Sequence, residues 1–153
     1  MYPQTHLLAG LAAGEVAASL GAISQPEALL VAGLAMAIDI DHYLYFVIKH
    51  GSWSLEKAWN AAVARREEGE RTWLHHWWGF VFVSAIIVLL AFFSQAWALI
   101  LALAYYSHYF LDHVPNSTRQ IRFKVLKASF KLSYLEIILD VILILLTIGF
   151  IAL

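Results

Sequence analysis

Two carboxylates and an imidazole interrupt an otherwise apolar stretch of this chain. The segment Ala37–Tyr43 reads AIDIDHY, and it lies inside a mostly apolar run from Ala28 to Ile48. A run of about 20 apolar residues is long enough to cross a bilayer. Ionisable side chains inside a membrane span are rare and costly, and by default they mark a functional site. Asp39, Asp41 and His42 are therefore the first candidates for such a site.

The composition indicates an integral membrane protein with one domain, residues 1–153. Hydrophobic residues make up 61% of the 153 positions, which is too apolar for an ordinary soluble domain. All ten Lys and Arg fall within 49–71 and 119–131, where they flank apolar segments. This arrangement sets orientation in a membrane and gives no indication of a nucleic-acid partner. The absence of cysteine excludes disulfides and thiolate metal ligands.

Hydropathy and periodicity predict an all-α polytopic membrane helix bundle. Five apolar segments are expected to form transmembrane helices, namely 4–20, 27–50, 74–93, 96–114 and 132–153. Two amphipathic segments, 51–72 and 118–131, are predicted to form helices lying at the membrane interface. Gly10 and Gly14 indicate that the first helix packs closely against another helix, because small residues let helix backbones approach in lipid.

The distribution of cations predicts the orientation in the membrane. Because both cationic segments should lie on the cytoplasmic face and two spans separate them, Met1 is expected inside and Leu153 outside. The cytoplasmic half of the membrane is then expected to contain polar residues from all five spans, namely His6, Asp39, Asp41, His42, His75, His76, His108, Asp112, His113, Glu136 and Asp140. The chain is accordingly expected to be a multi-pass protein of the inner membrane with a one-sided functional site.

The spacing of these polar residues suits metal binding. Asp39 and His42 are three residues apart, and His108 and Asp112 are four apart, so each pair shares one helix face. Imidazole and carboxylate without thiolate suit zinc, manganese or iron, and more than four such ligands suit two ions. A bound cation would also balance carboxylates that are costly to bury.

Four short motifs in this order resemble the YdjM-like, LexA-regulated family of membrane-bound metal-dependent hydrolases. They are Thr5-His6, Ile38-Asp39-Ile40-Asp41-His42, Glu70-Arg71-Thr72-Trp73-Leu74-His75 and His108-Tyr109-Phe110-Leu111-Asp112. The similarity covers most of the chain up to about Val114. Ile38, Glu70 and Thr72 depart from the proline, histidine and glycine that the family has there.

Together the residues and the resemblance predict a metal-dependent hydrolase of the inner leaflet. One or two divalent ions, zinc in the first place, are expected on a set of seven residues: His6, Asp39, Asp41, His42, His75, His108 and Asp112. The metal would activate water and polarise a phosphoryl oxygen, with Asp41 as general base. Arg71, Arg119 or Arg122 would hold the phosphate of a lipid or amphiphilic substrate.

Two other functions fit the same composition. Glu15, Asp39, Asp41, Glu136 and Asp140 could form the path of a small proton- or cation-coupled transporter. The nearly apolar outer halves of the spans favour a one-sided site over such a path. The third hypothesis is a metal-binding membrane protein without turnover. The sequence does not determine the oligomeric state.

Overall fold

The described part of the chain forms seven α-helices and one β-hairpin. The computed structural model describes residues 1–68, 72–114, 120–125 and 127–152, with the backbone alone at 64–68, 122–124 and 129. Helical residues make up 78% of the structure, which confirms the predicted helical class. The elements are α1 (Pro3–Ser19), α2 (Gln25–Ala37), α3 (Ile40–His50), α4 (Leu55–Glu68), a 3-10 turn (Trp73–His75), α5 (Trp77–Ala91), α6 (Gln95–Asp112), β1 (Gln120–Val125), β2 (Ala128–Ser133) and α7 (Tyr134–Ile151).

Helices α1 and α2 form a tightly packed hairpin. A Cβ atom built on Gly10 would lie 2.7 Å from Ala35 Cβ, and one built on Gly14 would lie 2.8 Å from Ala28 Cα. No larger side chain fits either position without a shift of α2, so the two backbones touch as the glycines predicted. Helix α6 packs on this hairpin through Ile100.

The predicted second span is interrupted at the polar segment. Helix α2 ends at Ala37 and α3 begins at Ile40. Between them the amides of Asp39 and Asp41 bond the carbonyls three residues earlier, at Met36 and Ile38. Such i to i−3 bonds tighten the chain locally, as in a 3-10 helix. The junction therefore interrupts the α-helical hydrogen-bond pattern at the point where the carboxylates lie.

The second predicted interfacial helix is wrong, because this segment forms a hairpin. Strands β1 and β2 pair antiparallel, with Ile121 opposite Leu132 and Lys124 opposite Ser129. The strand sequences QIRFKV and ASFKLS alternate apolar and polar residues, which is the period of a strand with one buried face. The first interfacial segment does form a helix, α4, as predicted.

Apolar side chains cover the outer surface of several helices. Gln25–His50, which comprises α2 and α3, and Tyr134–Ile151 have the length and hydropathy of membrane spans. Large apolar side chains of α5 and α7, such as Phe82, Leu89 and Leu145, are exposed. Exposed large apolar side chains in such number suit a lipid environment. The count of five spans stays a prediction. Helices α1 and α5 have only 17 and 15 residues, and α6 is less apolar than α7.

Candidate metal centre

Five segments of the chain bring imidazole and carboxylate groups to one end of the bundle. They are the first turns of α1, the α2–α3 junction, the start of α3, the 3-10 turn before α5 and the last turns of α6. The side chains that meet there are His6, Asp39, Asp41, His42, His75, His108 and Asp112. The structure thus brings together all seven predicted ligands, while their role in binding metal stays a prediction.

The first group of potential ligands comprises His6, Asp39, His108 and Asp112. One ligand atom of each lies within 4.8 Å of the others. The Nε2 atom of His6 lies 3.1 Å from Asp112 Oδ1 and 4.0 Å from Asp39 Oδ2. The Nε2 atom of His108 lies 3.5 Å from Asp112 Oδ2 and 3.7 Å from Asp39 Oδ1. Bonds of about 2.0 Å to a tetrahedral zinc ion place its ligand atoms about 3.3 Å apart, so these separations suit such an ion after small adjustments.

The second group comprises Asp39, His42 and His75, and it shares Asp39 with the first. The Nε2 atom of His42 lies 3.8 Å from Asp39 Oδ1 and 4.0 Å from Asp41 Oδ1. The Nδ1 atom of His75 lies 3.4 Å from Asp41 Oδ2. Because Asp41 approaches both histidines, it borders this group directly.

Hydrogen bonds fix the orientation of two imidazole rings. The Nδ1 atom of His108 donates to the carbonyl of Ala35 over 2.8 Å, so in the neutral ring Nε2 carries the lone pair and points into the first group. The Nδ1 atom of His75 shares a hydrogen bond of 2.8 Å with Thr72 Oγ1. Partners of this kind hold metal-binding histidines in one tautomer and one orientation. Neither partner was predicted from the sequence, and the position of Thr72 three residues before His75 was the only local signal for one of them.

The electrostatics of the centre favour a positive charge. The Nε2 atoms of His75 and His108 lie only 2.7 Å apart, a distance that requires a proton or a cation between two lone pairs. The His75 ring also lies between two carboxylates, with Nδ1 3.4 Å from Asp41 Oδ2 and Nε2 3.0 Å from Asp112 Oδ2. Three carboxylates therefore surround a position that attracts cations.

Several buried polar atoms of the centre lack hydrogen bonds. His6 is fully buried, and among the described residues neither of its ring nitrogens has a hydrogen-bond partner. The same holds within this part of the chain for Asp39 Oδ2 and for both carboxylate oxygens of Asp41. Buried polar atoms are normally satisfied, so a cluster of unsatisfied ones needs an explanation such as an ion. The donor set and its geometry both fit a divalent metal.

The α-amino group of Met1 also reaches the centre, where it forms an ion pair with Asp112. This contact was not predicted, since nothing in the sequence places the first residue beside the end of α6. Asp112 also lies close to three histidines, so with the amino group it has more cationic or hydrogen-bond-donating neighbours than any other described carboxylate.

The three predicted phosphate-binding arginines are not placed by the structure. Arg71 and Arg119 lie outside the described residues, and so does Glu70 of the third motif. Arg122 lies on β1, where only its backbone is described. Their part in substrate binding therefore stays a prediction.

The buried acid of α7 lies apart from both ligand groups. Glu136 is fully buried and accepts hydrogen bonds from the amide of Tyr2 over 2.5 Å and from Thr5 Oγ1 over 3.3 Å. It thereby ties the start of α7 to the start of α1, the segment that carries His6. Glu136 therefore forms hydrogen bonds between helices.

Comparison with known proteins identifies the family. Neither the curated proteins nor the solved structures give a significant match to this chain. A family model described as YdjM inner membrane protein matches residues 1–152, which confirms the resemblance seen in the four motifs. Because the match extends over both ligand groups and nearly the whole sequence, the chain belongs to the YdjM family of inner membrane proteins.

Proposed function

We propose that this protein is a metal-dependent hydrolase acting at the cytoplasmic leaflet of the inner membrane, on a phosphoester of a lipid or an amphiphilic substrate. The observation that carries the proposal is the first ligand group. Four potential ligand atoms from α1, the α2–α3 junction and α6 lie within 4.8 Å of one another, in side chains that are largely or fully buried. Residues so distant in sequence converge at a buried point when they share a function.

The chemistry of the centre supports hydrolysis. A divalent metal held there by His6, Asp39, His108 and Asp112 would supply Lewis acidity toward a phosphoryl oxygen and toward water. Asp41 is the best candidate for the general base, because its two oxygens lack hydrogen bonds among the described residues and border the second group. Thr72 and the Ala35 carbonyl would keep His75 and His108 oriented during turnover.

The surroundings of the centre support a substrate that arrives from lipid. Asp41 and His42 are partly exposed, whereas His6 and His108 are buried. The opening of the centre therefore lies on the side of α3, which presents exposed apolar residues such as Ile40 and Leu44. We propose that Arg71, Arg119 or Arg122 binds the headgroup phosphate beside this opening.

We further propose five membrane spans, with the N-terminus in the cytoplasm and the C-terminus outside. The positive-inside rule supports this orientation, since the cationic segments 49–71 and 119–131 adjoin the ends of the helices that carry the centre. Reporter fusions at residues 1 and 153 test it. Both termini on the same face would contradict the proposal.

The experiment that tests the proposed function joins metal content to hydrolysis. The protein would be purified in detergent, loaded with zinc, and offered a panel of phospholipids with different headgroups. We expect headgroup or phosphate release by the wild type and a loss of at least about a hundredfold in Asp41→Asn, as for removal of a general base. His76→Ala is the matched control, because His76 is an exposed neighbour of His75 outside both ligand groups.

One outcome would contradict hydrolysis, and another would contradict the role of Asp41. Zinc bound by the wild type without release from any lipid would favour a metal-binding protein without turnover. Equal release by the wild type and Asp41→Asn would remove Asp41 from its proposed role.

A further inference from the structure

The two ligand groups contain more potential ligands than one zinc ion binds. Together they contain the side chains of six residues, His6, Asp39, His42, His75, His108 and Asp112. A zinc ion takes about four ligands, and in catalytic sites only three of them come from protein. A single ion bound by the first group would not contact His42. Both carboxylate oxygens of Asp41 would still lack hydrogen-bond partners among the described residues.

Asp39 lies between the groups and reaches both with one carboxylate. Its Oδ1 atom lies 3.7 Å from His108 Nε2 of the first group and 3.8 Å from His42 Nε2 of the second. Its Oδ2 atom faces His6 at 4.0 Å and has no hydrogen-bond partner among the described residues. Asp39 Oδ1 thus faces imidazole nitrogens of both groups and Oδ2 faces the first group, as expected for a carboxylate that bridges two ions.

We infer that the centre binds two divalent ions, with Asp39 as the carboxylate that bridges them. This inference deepens the proposed function, because it concerns the same centre. His6, His108 and Asp112 would complete the inner position, and His42 and His75 the outer one. Asp41 would lie beside the outer ion, where its two unsatisfied oxygens can bind the ion or take a proton from water.

The charges of the centre agree with two ions when a phosphate is bound. Asp39, Asp41 and Asp112 are three carboxylates, each at most about one-sixth exposed, and they face four histidines. With the Met1 amino group, which pairs with Asp112, the three carboxylates leave two negative charges. One divalent ion would balance them, and a second ion would leave two positive charges that a bound phosphate dianion would balance.

The two metal positions differ in burial, so we expect their ions to exchange at different rates. The inner histidines His6 and His108 are at most 1% exposed, whereas the His42 side chain is 28% exposed. The outer ion should therefore be released first by a chelator, and it should be the one that meets a substrate. Paired ions that clamp the attacking and leaving oxygens are typical of enzymes acting on phosphoesters.

Metal counting on the full chain tests the inference. Zinc would be measured by elemental analysis after removal of free metal from the wild type, His42→Ala, His6→Ala, Asp39→Asn and the control His76→Ala. We expect about two ions per chain in the wild type and the control, and about one in His42→Ala. His6→Ala should lose the inner ion, and Asp39→Asn should bind both ions at least about tenfold more weakly.

Manganese provides a readout that does not depend on activity. Two Mn²⁺ ions bridged by one carboxylate are magnetically coupled, so the wild type should give a coupled electron paramagnetic resonance spectrum. His42→Ala should give the spectrum of an isolated ion. Circular dichroism of each variant identifies those that have lost their helices. We expect His42→Ala to keep its helices, because the His42 side chain is partly solvent-accessible.

The outcomes separate this inference from the proposed function. One ion per chain in the wild type, or an uncoupled spectrum with two ions bound, would overturn the bridge even if the protein hydrolyses phospholipids. Two coupled ions without hydrolysis would support the bridge and contradict the proposed reaction.

Discussion

Substituting Gly79 should weaken metal binding without changing any ligand. Gly79 lies in the first turns of α5, directly against the 3-10 turn that carries His75. A Cβ atom at this position would lie 2.3 Å from Trp73 O and 2.8 Å from Leu74 Cα. Both are backbone atoms, so they cannot rotate away as a side chain could. The turn would have to move by about 1 Å to reach an ordinary van der Waals contact.

The turn cannot make that movement freely, because α6 holds its other side. Tyr105 Oη donates a hydrogen bond of 2.8 Å to the carbonyl of Leu74, and His75 is only 3% exposed. We therefore expect Gly79→Ala to destabilise the protein by about 1–3 kcal/mol, as for overpacking in a close-packed interior. Because His75 moves with the turn, zinc affinity should fall about 10- to 100-fold, as when a supporting contact of a ligand is lost.

Gly33→Ala is the matched control for this prediction. Gly33 lies inside α2, and no atom lies within 4 Å of a Cβ built there. The substitution should leave zinc affinity unchanged and raise stability by up to about 1 kcal/mol, because alanine is the better helix former. Competition titration with a zinc chelator and thermal unfolding in detergent measure both quantities. Equal zinc affinity in Gly79→Ala and Gly33→Ala would refute the proposed link between α5 packing and the position of His75.

Three further predictions follow from the centre and its supports. Chelation should lower the unfolding temperature, and zinc should restore it, since a ligand present at 100 times its Kd stabilises the fold by about 2.7 kcal/mol; an unchanged temperature would contradict structural coupling of the metal. Acidification to about pH 5 should release zinc, because protons compete for the imidazole nitrogens. Dialysis followed by elemental analysis measures this release, and retention of zinc would argue against histidine ligands. Glu136→Ala should cost about 1–3 kcal/mol in thermal unfolding by leaving the Tyr2 amide unpaired, and Glu136→Gln should cost less; equal stability of the two variants would exclude a hydrogen-bonding role.

The sequence predicted the helices better than the connections between them. Helices α1, α4, α6 and α7 lie where hydropathy and periodicity expected helical structure. The hairpin was missed because Ile121, Val125 and Phe130 fit a helical stripe as well as an alternating strand. The break after Ala37 was also missed, since an apolar run contains no signal for i to i−3 bonding.

The residues of the centre could be predicted from the free-energy cost of placing ionisable side chains in a membrane. Their arrangement could not be predicted. A carboxylate or imidazole at membrane depth needs a partner, so Asp39, His108 and Asp112 stood out individually. Their division into two groups depends on the α2–α3 junction, which turns Asp41 toward His75. The Ala35 carbonyl that orients His108 is a backbone atom, and side-chain patterns carry no information about it.

Thr72 shows how a departure from the family pattern can be tested as a functional feature. The motif that this segment resembles has glycine at this position, whereas here the Thr72 hydroxyl is buried and bonds His75 Nδ1 over 2.8 Å. Because Nδ1 is engaged, the ring presents Nε2 to Asp112 at 3.0 Å. Thr72→Val keeps the shape of the side chain and removes the hydrogen bond, so zinc affinity should fall at least about tenfold. Thr72→Ser keeps the hydroxyl and should bind zinc as the wild type does. Equal affinity of the valine and serine variants in a chelator titration would show that packing alone orients His75.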